Sequence, residues 1–199
     1  MWNERYSEPG FAYGAEPNDF LAATAERYLP PHGEILSLAE GEGRNAVFLA
    51  RHGFRVTAVD SSAVGLEKAH ALAAKHGVEI ESVVADLAAF DLGIECWDGI
   101  VSIWCHLPSE LRARLHRSVV AALRPGGVFL LEAYTPEQLE YKTGGPSSAE
   151  LLMTLPAVRN ELAGLEMLVG EEKIRQVHEG KYHEGTSAVL QVVARKPLG

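Results

Sequence analysis

Between Glu34 and Ala133 the chain alternates short apolar runs with helical stretches, and that rhythm leaves few folds open. Ile35-Leu36-Ser37-Leu38 reads as a short buried strand. The tight turn Gly41-Glu42-Gly43 follows, then a helix from Arg44 to His52 with Ala46, Val47, Leu49 and Ala50 inward, closed by Gly53. Arg55 to Asp60 is a second strand, and Ala63 to His76 a second helix ended by Gly77. Glu79 to Val84 and Trp97 to Ile103 read as the third and fourth strands. Ser109 is expected to cap a helix reaching Leu123. Arg124-Pro125-Gly126-Gly127 then turns the chain into a fifth strand, Val128 to Ala133. Strands spaced by helices imply right-handed βαβ units and a mainly parallel sheet. Every strand-to-helix loop then lies on one edge, where open sheets bind ligands.

The flanks read differently. Met1 to Pro31 carries aromatic and turn residues (Tyr6, Phe11, Tyr13, Gly14, Pro17), then a helical stretch through Phe20-Leu21 and Tyr28-Leu29, with Asn18 or Asp19 as its cap. Pro136 to Pro156 is loop and short helix with Gly144-Gly145-Pro146. Two strand-like runs follow, Glu166 to His178 and Ser187 to Arg195; separated by Glu179-Gly180 and Gly185, they predict an appended antiparallel pair. The chain of 199 residues therefore suits one domain, spanning 34–199, with residues 1–33 as a cap or lid.

Composition narrows the partners. An apolar share of 47% with 23% charged residues supports a packed core, and a net charge of −9 argues against a nucleic-acid partner. A small ligand fits better, and a cationic one would not be repelled. Cys96 and Cys105 are too few for a disulfide scaffold, so a reduced compartment is expected. The start Met1-Trp2-Asn3-Glu4-Arg5-Tyr6 has no basic segment leading into an apolar stretch, and no run approaches the roughly 18 residues of a membrane span. The expected location is the cytoplasm, without membrane association; the oligomeric state is left open.

Leu38 to Ala46 follows a strand and opens a helix, so glycine-exposed backbone and unpaired N–H donors face one place. Asp60 stands 19 positions after Gly41 (60 − 41), at the end of the next strand, where a carboxylate accepts bonds from ribose hydroxyls. Asp86 follows the third strand and can accept from an adenine amino group. Gly41-x-Gly43-x-x-Ala46 alone also fits a dinucleotide fingerprint, which keeps a nicotinamide-dependent oxidoreductase as an alternative. A non-catalytic cofactor-binding protein is the other.

Trp97-Asp98-Gly99-Ile100-Val101, followed by Leu123-Arg124-Pro125-Gly126-Gly127-Val128-Phe129-Leu130, completes a succession that resembles the class I S-adenosylmethionine-dependent methyltransferases over roughly Glu34 to Ala133. The resemblance implies an α/β, Rossmann-like, seven-stranded, mostly parallel sheet with helices on both faces and an antiparallel C-terminal hairpin. It also implies S-adenosylmethionine as cofactor and a small-molecule methyl acceptor. Gly41-Glu42-Gly43-Arg44-Asn45-Ala46-Val47-Phe48-Leu49-Ala50 is similar to the tellurite-resistance and thiopurine-type branch, and Tyr13-Gly14-x-x-Pro17-Asn18-x-x-Leu21 to a segment that closes over the cofactor in relatives. Ser37 and Ala39 depart from the Asp and Gly common at those places. Glu40 or Glu42 either supplies negative charge near the cofactor's amino group or stands as a solvated loop carboxylate.

The cofactor-binding set expected on this basis is Ala39, Glu40, Gly41, Gly43, Asn45, Asp60, Ser61, Asp86, Leu87, Ile103 and Trp104. His106, leaving the fourth strand, is the candidate base because its unperturbed pKa lies near neutrality; the alternative is a loop histidine bonded to backbone. Cys105 is read as inert. Tyr13 and Tyr134 are expected on the lid and acceptor side, with Phe11 and Tyr141 as further candidates. His178, Tyr182 and His183, near Lys181, read as a polar hairpin tip, and no metal is assigned. A thiol, a selenium or tellurium oxyanion, or a similar soft acceptor needs little base; an oxygen or nitrogen acceptor needs one.

Overall fold

A computed structural model describes residues 2–199. The parallel strands are β1 (Glu34–Leu38), β2 (Arg55–Asp60), β3 (Glu81–Val84), β4 (Trp97–Ile103) and β5 (Leu123–Tyr134). The C-terminal hairpin is β6 (Glu166–Glu179) and β7 (His183–Arg195), and the sheet order is β3-β2-β1-β4-β5-β7-β6. Only β7 runs against the others: it pairs antiparallel with both β5 and β6. The strand order reverses between β1 and β4, which opens a crevice at their carboxyl ends.

Helices cover both faces because the strands alternate. Ile35 of β1 points to one face and Leu36 to the other. The first face packs against α2 (Asp19–Tyr28), α3 (Arg44–Arg51) and α4 (Ala63–Lys75), through Leu21, Leu49 and Ala69. The second packs against α5 (Ser109–Ala122) and α7 (Leu155–Glu161), through Leu115, Val119 and Val158. A short helix, α1 (Trp2–Tyr6), lies against α4, and another, α6 (Gln138–Tyr141), follows β5. No helix among the described residues is long and apolar enough to cross a membrane.

The expected seven-stranded architecture holds, with corrections at element ends. Asn18, not Asp19, caps α2, its side chain accepting from the Leu21 N–H. Ser109 caps nothing: Pro108 occupies that position, and Ser109 is the first helical residue. The Arg124–Gly127 turn lies inside β5, as a bulge between the Trp97–Leu123 and Gly99–Val128 pairs. The hairpin is longer than the sequence suggested, because pairing continues to Glu179–His183 and leaves Gly180-Lys181-Tyr182 as a three-residue tip. Gly180 there has φ of 71°, the left-handed conformation such a tip needs. Gly185, expected to separate the strands, sits within β7 opposite Val177.

Gly43 caps α3 with φ of 90°, and a Cβ placed on it would stand 2.4 Å from the Cβ of Ala69. Its role is close packing of α3 on α4. Gly77 has φ of 68° but open space around it. Gly43→Ala is therefore expected to cost about 2–4 kcal/mol, backbone strain plus overpacking, whereas Gly77→Ala should cost about 1–2 kcal/mol from the backbone alone. Urea unfolding of both variants measures the difference.

Candidate active site

A cavity of about 1150 Å³ crosses the carboxyl ends of β1, β2, β3 and β4. Ala39, Glu40, Gly41, Asn45, Asp60, Ser61, Asp86, Leu87, Ile103 and Trp104 all line it, as do His106 and Tyr13. Two expected residues do not line it. Gly43 faces α4, and Tyr134 is fully buried beneath Trp104, with ring centroids 4.3 Å apart.

The loop after β1 is organised from within. Ser37 Oγ donates to Glu40, whose other oxygen accepts the N–H groups of Asn45 (3.1 Å) and Ala46 (2.9 Å) at the start of α3. Glu40 thus supplies the cap that Gly43 cannot, and burial raises its pKa. Glu42 is also buried; it accepts from the Ala12 N–H (2.7 Å) and pairs with Lys68 (2.8 Å). Neither is a solvated loop carboxylate. Lys68 further donates to the carbonyls of Glu8 and Gly10, fastening the N-terminal segment beside the loop.

Asp60 is held by the N–H groups of Gly41 and Ser62, each at 2.8 Å and each on a different carboxylate oxygen. Burial raises its pKa, and these N–H groups act against the rise. An ionised carboxylate has about four lone-pair sites, so the side chain retains acceptor capacity after both bonds. Asp86 spends one oxygen on the Ala88 N–H (2.8 Å). Ala39 occupies the left-handed region at φ of 51°, and so does Trp104 at φ of 56°. These two strained residues end the strands that flank the crevice.

Under Trp104 lies a buried polar network. Glu132 and Glu179 face Arg44, Arg175 and the amide of Asn18, and Trp104 Nε1 donates to Glu179 at 2.6 Å. Burial opposes ionisation of Glu179. The Arg44 charge, the indole N–H and Arg175 outweigh it and hold its carboxyl below the ordinary value.

His106 sits within hydrogen-bond reach of backbone on both sides: its Nδ1 is 3.0 Å from the Leu151 carbonyl, and its Nε2 faces the Tyr134 N–H at 3.4 Å. Burial lowers its pKa to about 4, so the ring is neutral near pH 7. Its surroundings match the backbone-bonded alternative better than the base. Burial pushes the Cys105 thiol up to about 12, which keeps it protonated.

Several wall residues had no assigned role. Trp2, Arg5 and Tyr6 enter from α1, and Lys142 to Ser148 from the loop after α6. Trp2 and Tyr6 stand four apart, one helical turn, and stack at 5.8 Å; that spacing was the available signal. Tyr6 fills the space a side chain on Gly41 would take, its hydroxyl 2.6 Å from the Cβ position. Lys181, Tyr182 and His183 were expected at a polar tip, yet they line the cavity. His178 does not join them; it pairs with Glu184 on the exposed side. Phe11 packs against the first core face, under Lys68, and Tyr141 ends α6.

Residues 35–127 match the family model described as methyltransferase domain. The match covers the central part of the chain, from β1 into β5. Solved structures similar to it have the same fold. One, from work on the conversion of a disulfide bond into a thioacetal group during echinomycin biosynthesis, is 19% identical, covering 97% of this chain and 86% of that one, with a TM-score of 0.76. A SAM-dependent methyltransferase from Methanosarcina mazei is 18% identical over 88% and 97% of the two chains, TM-score 0.68. TehB from Haemophilus influenzae is 20% identical over 89% of this chain and 61% of that one, TM-score 0.71. No curated protein matches the sequence. The glycine loop alone had left nicotinamide binding open; the family match is to methyltransferases.

Beneath Trp104, Glu179 is the charge on which two guanidiniums depend. Glu179→Gln is expected to cost about 3 kcal/mol or more near pH 7, because Arg44 and Arg175 lose a buried counter-charge. A depressed folded-state pKa contributes stability above the unfolded value, near 4.5, and loses it as pH falls through the folded value. The gap between wild type and variant should therefore close below pH 4.5, as followed by thermal unfolding across pH.

Proposed function

We propose that the protein transfers a methyl group from S-adenosylmethionine to a small soft nucleophile such as a thiol or a selenium or tellurium oxyanion. The observation that carries this reading is the cavity itself. Within a methyltransferase domain it gathers the ends of β1 to β4 around carboxylates at Asp60 and Asp86.

The residues present fit the cofactor. Asp60, oriented by the Gly41 and Ser62 N–H groups, would hold the ribose hydroxyls with its remaining lone pairs. Asp86 would accept from the adenine amino group, with Leu87 beside the base. Ile103 and Trp104 wall the far side. Bound there, S-adenosylmethionine would supply an electrophilic methyl group to the acceptor's lone pair, with its sulfur as the leaving atom. The chain's task is alignment and exclusion of water, and orientation of this kind can lower a barrier by roughly 7–11 kcal/mol. Tyr13 and the N-terminal segment, held by Lys68 and Glu42, close the wall on the solvent side.

The preference for a soft acceptor is supported by the scarcity of usable bases at the β4 end. His106 is neutral and engaged with backbone, and Cys105 is protonated. An acceptor that ionises by itself, or attacks without full deprotonation, suits this wall. Similarity over Gly41 to Ala50 supports the tellurite-resistance and thiopurine-type branch, and the fold shared with TehB agrees with it. The negative chain suits a small partner rather than a nucleic acid.

Isothermal titration with S-adenosylmethionine and S-adenosylhomocysteine tests the reading. Saturable binding of both is expected, with no heat from NAD. Asp60→Asn should weaken binding about tenfold or more, as expected for losing a charged hydrogen-bond acceptor. Wild-type protein that binds neither compound would overturn the proposal.

A further inference from the structure

The walls of the cavity differ in charge from one side of the crevice to the other. Asp60 and Asp86 belong to the ends of β2 and β3. Lys142 follows β5, and the tip Gly180-Lys181-Tyr182 joins β6 to β7, on the far side of β1 and β4 in the sheet. Lys142 is exposed and lines the cavity, and among the described residues its ammonium has no hydrogen bond or ion pair. Arg5 reaches the same side from α1. Its guanidinium carbon stands 4.6 Å from the centre of the Tyr182 ring, and Nη1 donates to Tyr13 Oη at 2.9 Å. Its other N–H groups have no acceptor, and no carboxylate pairs with it, among the described residues. Tyr182 brings the two cations to one place. Its backbone carbonyl lies 2.5 Å from the Cβ position of Gly144, and the Glu184 N–H donates to the Thr143 carbonyl at 3.0 Å.

The loop after Lys142 adds donors. Gly144, Gly145, Ser147 and Ser148 line the cavity, and neither their N–H groups nor the two hydroxyls have an acceptor among the described residues. Two cations and several N–H and O–H groups in one wall suit an anion, which accepts from many donors at once. At about 1150 Å³ the cavity exceeds the roughly 300–1,000 Å³ of a single small-ligand site, so a second ligand has room beside a cofactor. We propose that Lys142 and Arg5 hold a negative charge carried by the methyl acceptor, either an oxyanion acceptor itself or a carboxylate attached to a thiol. The inference rests on the methyltransferase reading and narrows its soft acceptors to anionic ones.

The neighbouring charges leave that preference standing. Lys181 stands 3.6 Å from Glu8, and Glu184 is 2.6 Å from His178, so both carboxylates of the hairpin end have partners. Glu179, behind Trp104, is matched by Arg44 and Arg175. Burial lowers the His183 pKa to about 3, so that ring is neutral and adds no charge to the wall. The chain as a whole carries −9, so two cations without carboxylate partners in one cavity reverse the general charge locally. Lys142 is exposed, and its attraction for an anion is therefore weakened by salt.

The test is calorimetric. Protein saturated with S-adenosylhomocysteine is titrated with sodium selenite, 3-mercaptopropionate or 3-mercaptopropionamide, the neutral counterpart of the second. At least one anion is expected to bind about tenfold or more tighter than the amide, as charge-assisted hydrogen bonds allow. Which anion does so identifies the source of the charge. Lys142 has φ of 57°, so Lys142→Asn removes the ammonium with a side chain that tolerates this backbone. Lys142→Asn and Arg5→Gln should each weaken that anion about tenfold, and Lys142→Arg should restore it. Affinity of the Lys142 variants for S-adenosylhomocysteine should be unchanged. Three results overturn the anion subsite and leave the methyltransferase reading standing: an amide that binds as well as either anion, an anion affinity that neither substitution changes, or a loss in Lys142→Asn that falls on S-adenosylhomocysteine instead. Wild-type protein that fails to bind S-adenosylhomocysteine overturns both.

Discussion

The wall of the crevice under Trp104 is hung on two buried carboxylates. Glu132, near the end of β5, and Glu179, the last residue of β6, can stay buried and charged because the chain surrounds each oxygen with donors.

 On Glu132, one oxygen accepts from Arg175 Nε (2.8 Å) and Gln191 (2.6 Å), and the other from Asn18 and Arg175 Nη2 (2.7 Å). On Glu179, one oxygen accepts from Asn18 (2.8 Å) and Arg175 (3.1 Å), and the other from Arg44 and Trp104. Two negative charges meet two positive ones, and every carboxylate oxygen has two donors. A buried pair of this kind is worth little against an apolar replacement, but it is expensive to break once built. It acts as a fastening: the cap of α2, the first turn of α3, the end of β4 and strands β5, β6 and β7 all meet there.

That fastening explains where backbone strain is tolerated. Ala39 and Trp104 sit in a conformation that disfavours a side chain by about 1–2 kcal/mol each, at the ends of the two strands that bracket the crevice. Trp104 is held from both ends, its backbone N–H on the Glu132 carbonyl (2.9 Å) and its indole N–H on Glu179. Ala39 is followed at once by Glu40, whose backbone N–H reaches the Val59 carbonyl (3.1 Å) and whose side chain caps α3. Strained residues persist where their neighbours over-determine them, and here the result is an indole and a loop backbone aimed into one cavity.

The N-terminal segment is the second consequence. Asn18 enters the carboxylate network, Ala12 bonds to Glu42 and receives the Lys181 N–H (2.9 Å), and Gly14 lies against Gly180. The segment therefore bridges the glycine loop and the hairpin tip, two parts of the chain more than 100 residues apart in sequence (180 − 41). Both the start and the tail of the chain contribute wall to a cavity whose floor comes from the middle.

How much of this was legible follows from the range over which each feature is determined. Strand and helix order, the parallel sheet, the antiparallel hairpin, and the glycine loop with Asp60 and Asp86 at strand ends were all readable, because periodicity and turn chemistry act within a few residues. The Rossmann-like architecture is a consequence of that local text. What only the tertiary structure decided is which side chains meet. Glu40 and Glu42 read as loop carboxylates until α3 and Lys68 were seen to claim them; His183 read as a hairpin tip until four more paired residues in β7 carried it to Trp104 and Tyr13. Burial, partner choice and the neutrality of His106 and His183 come from groups distant in the chain, and no local pattern encodes them.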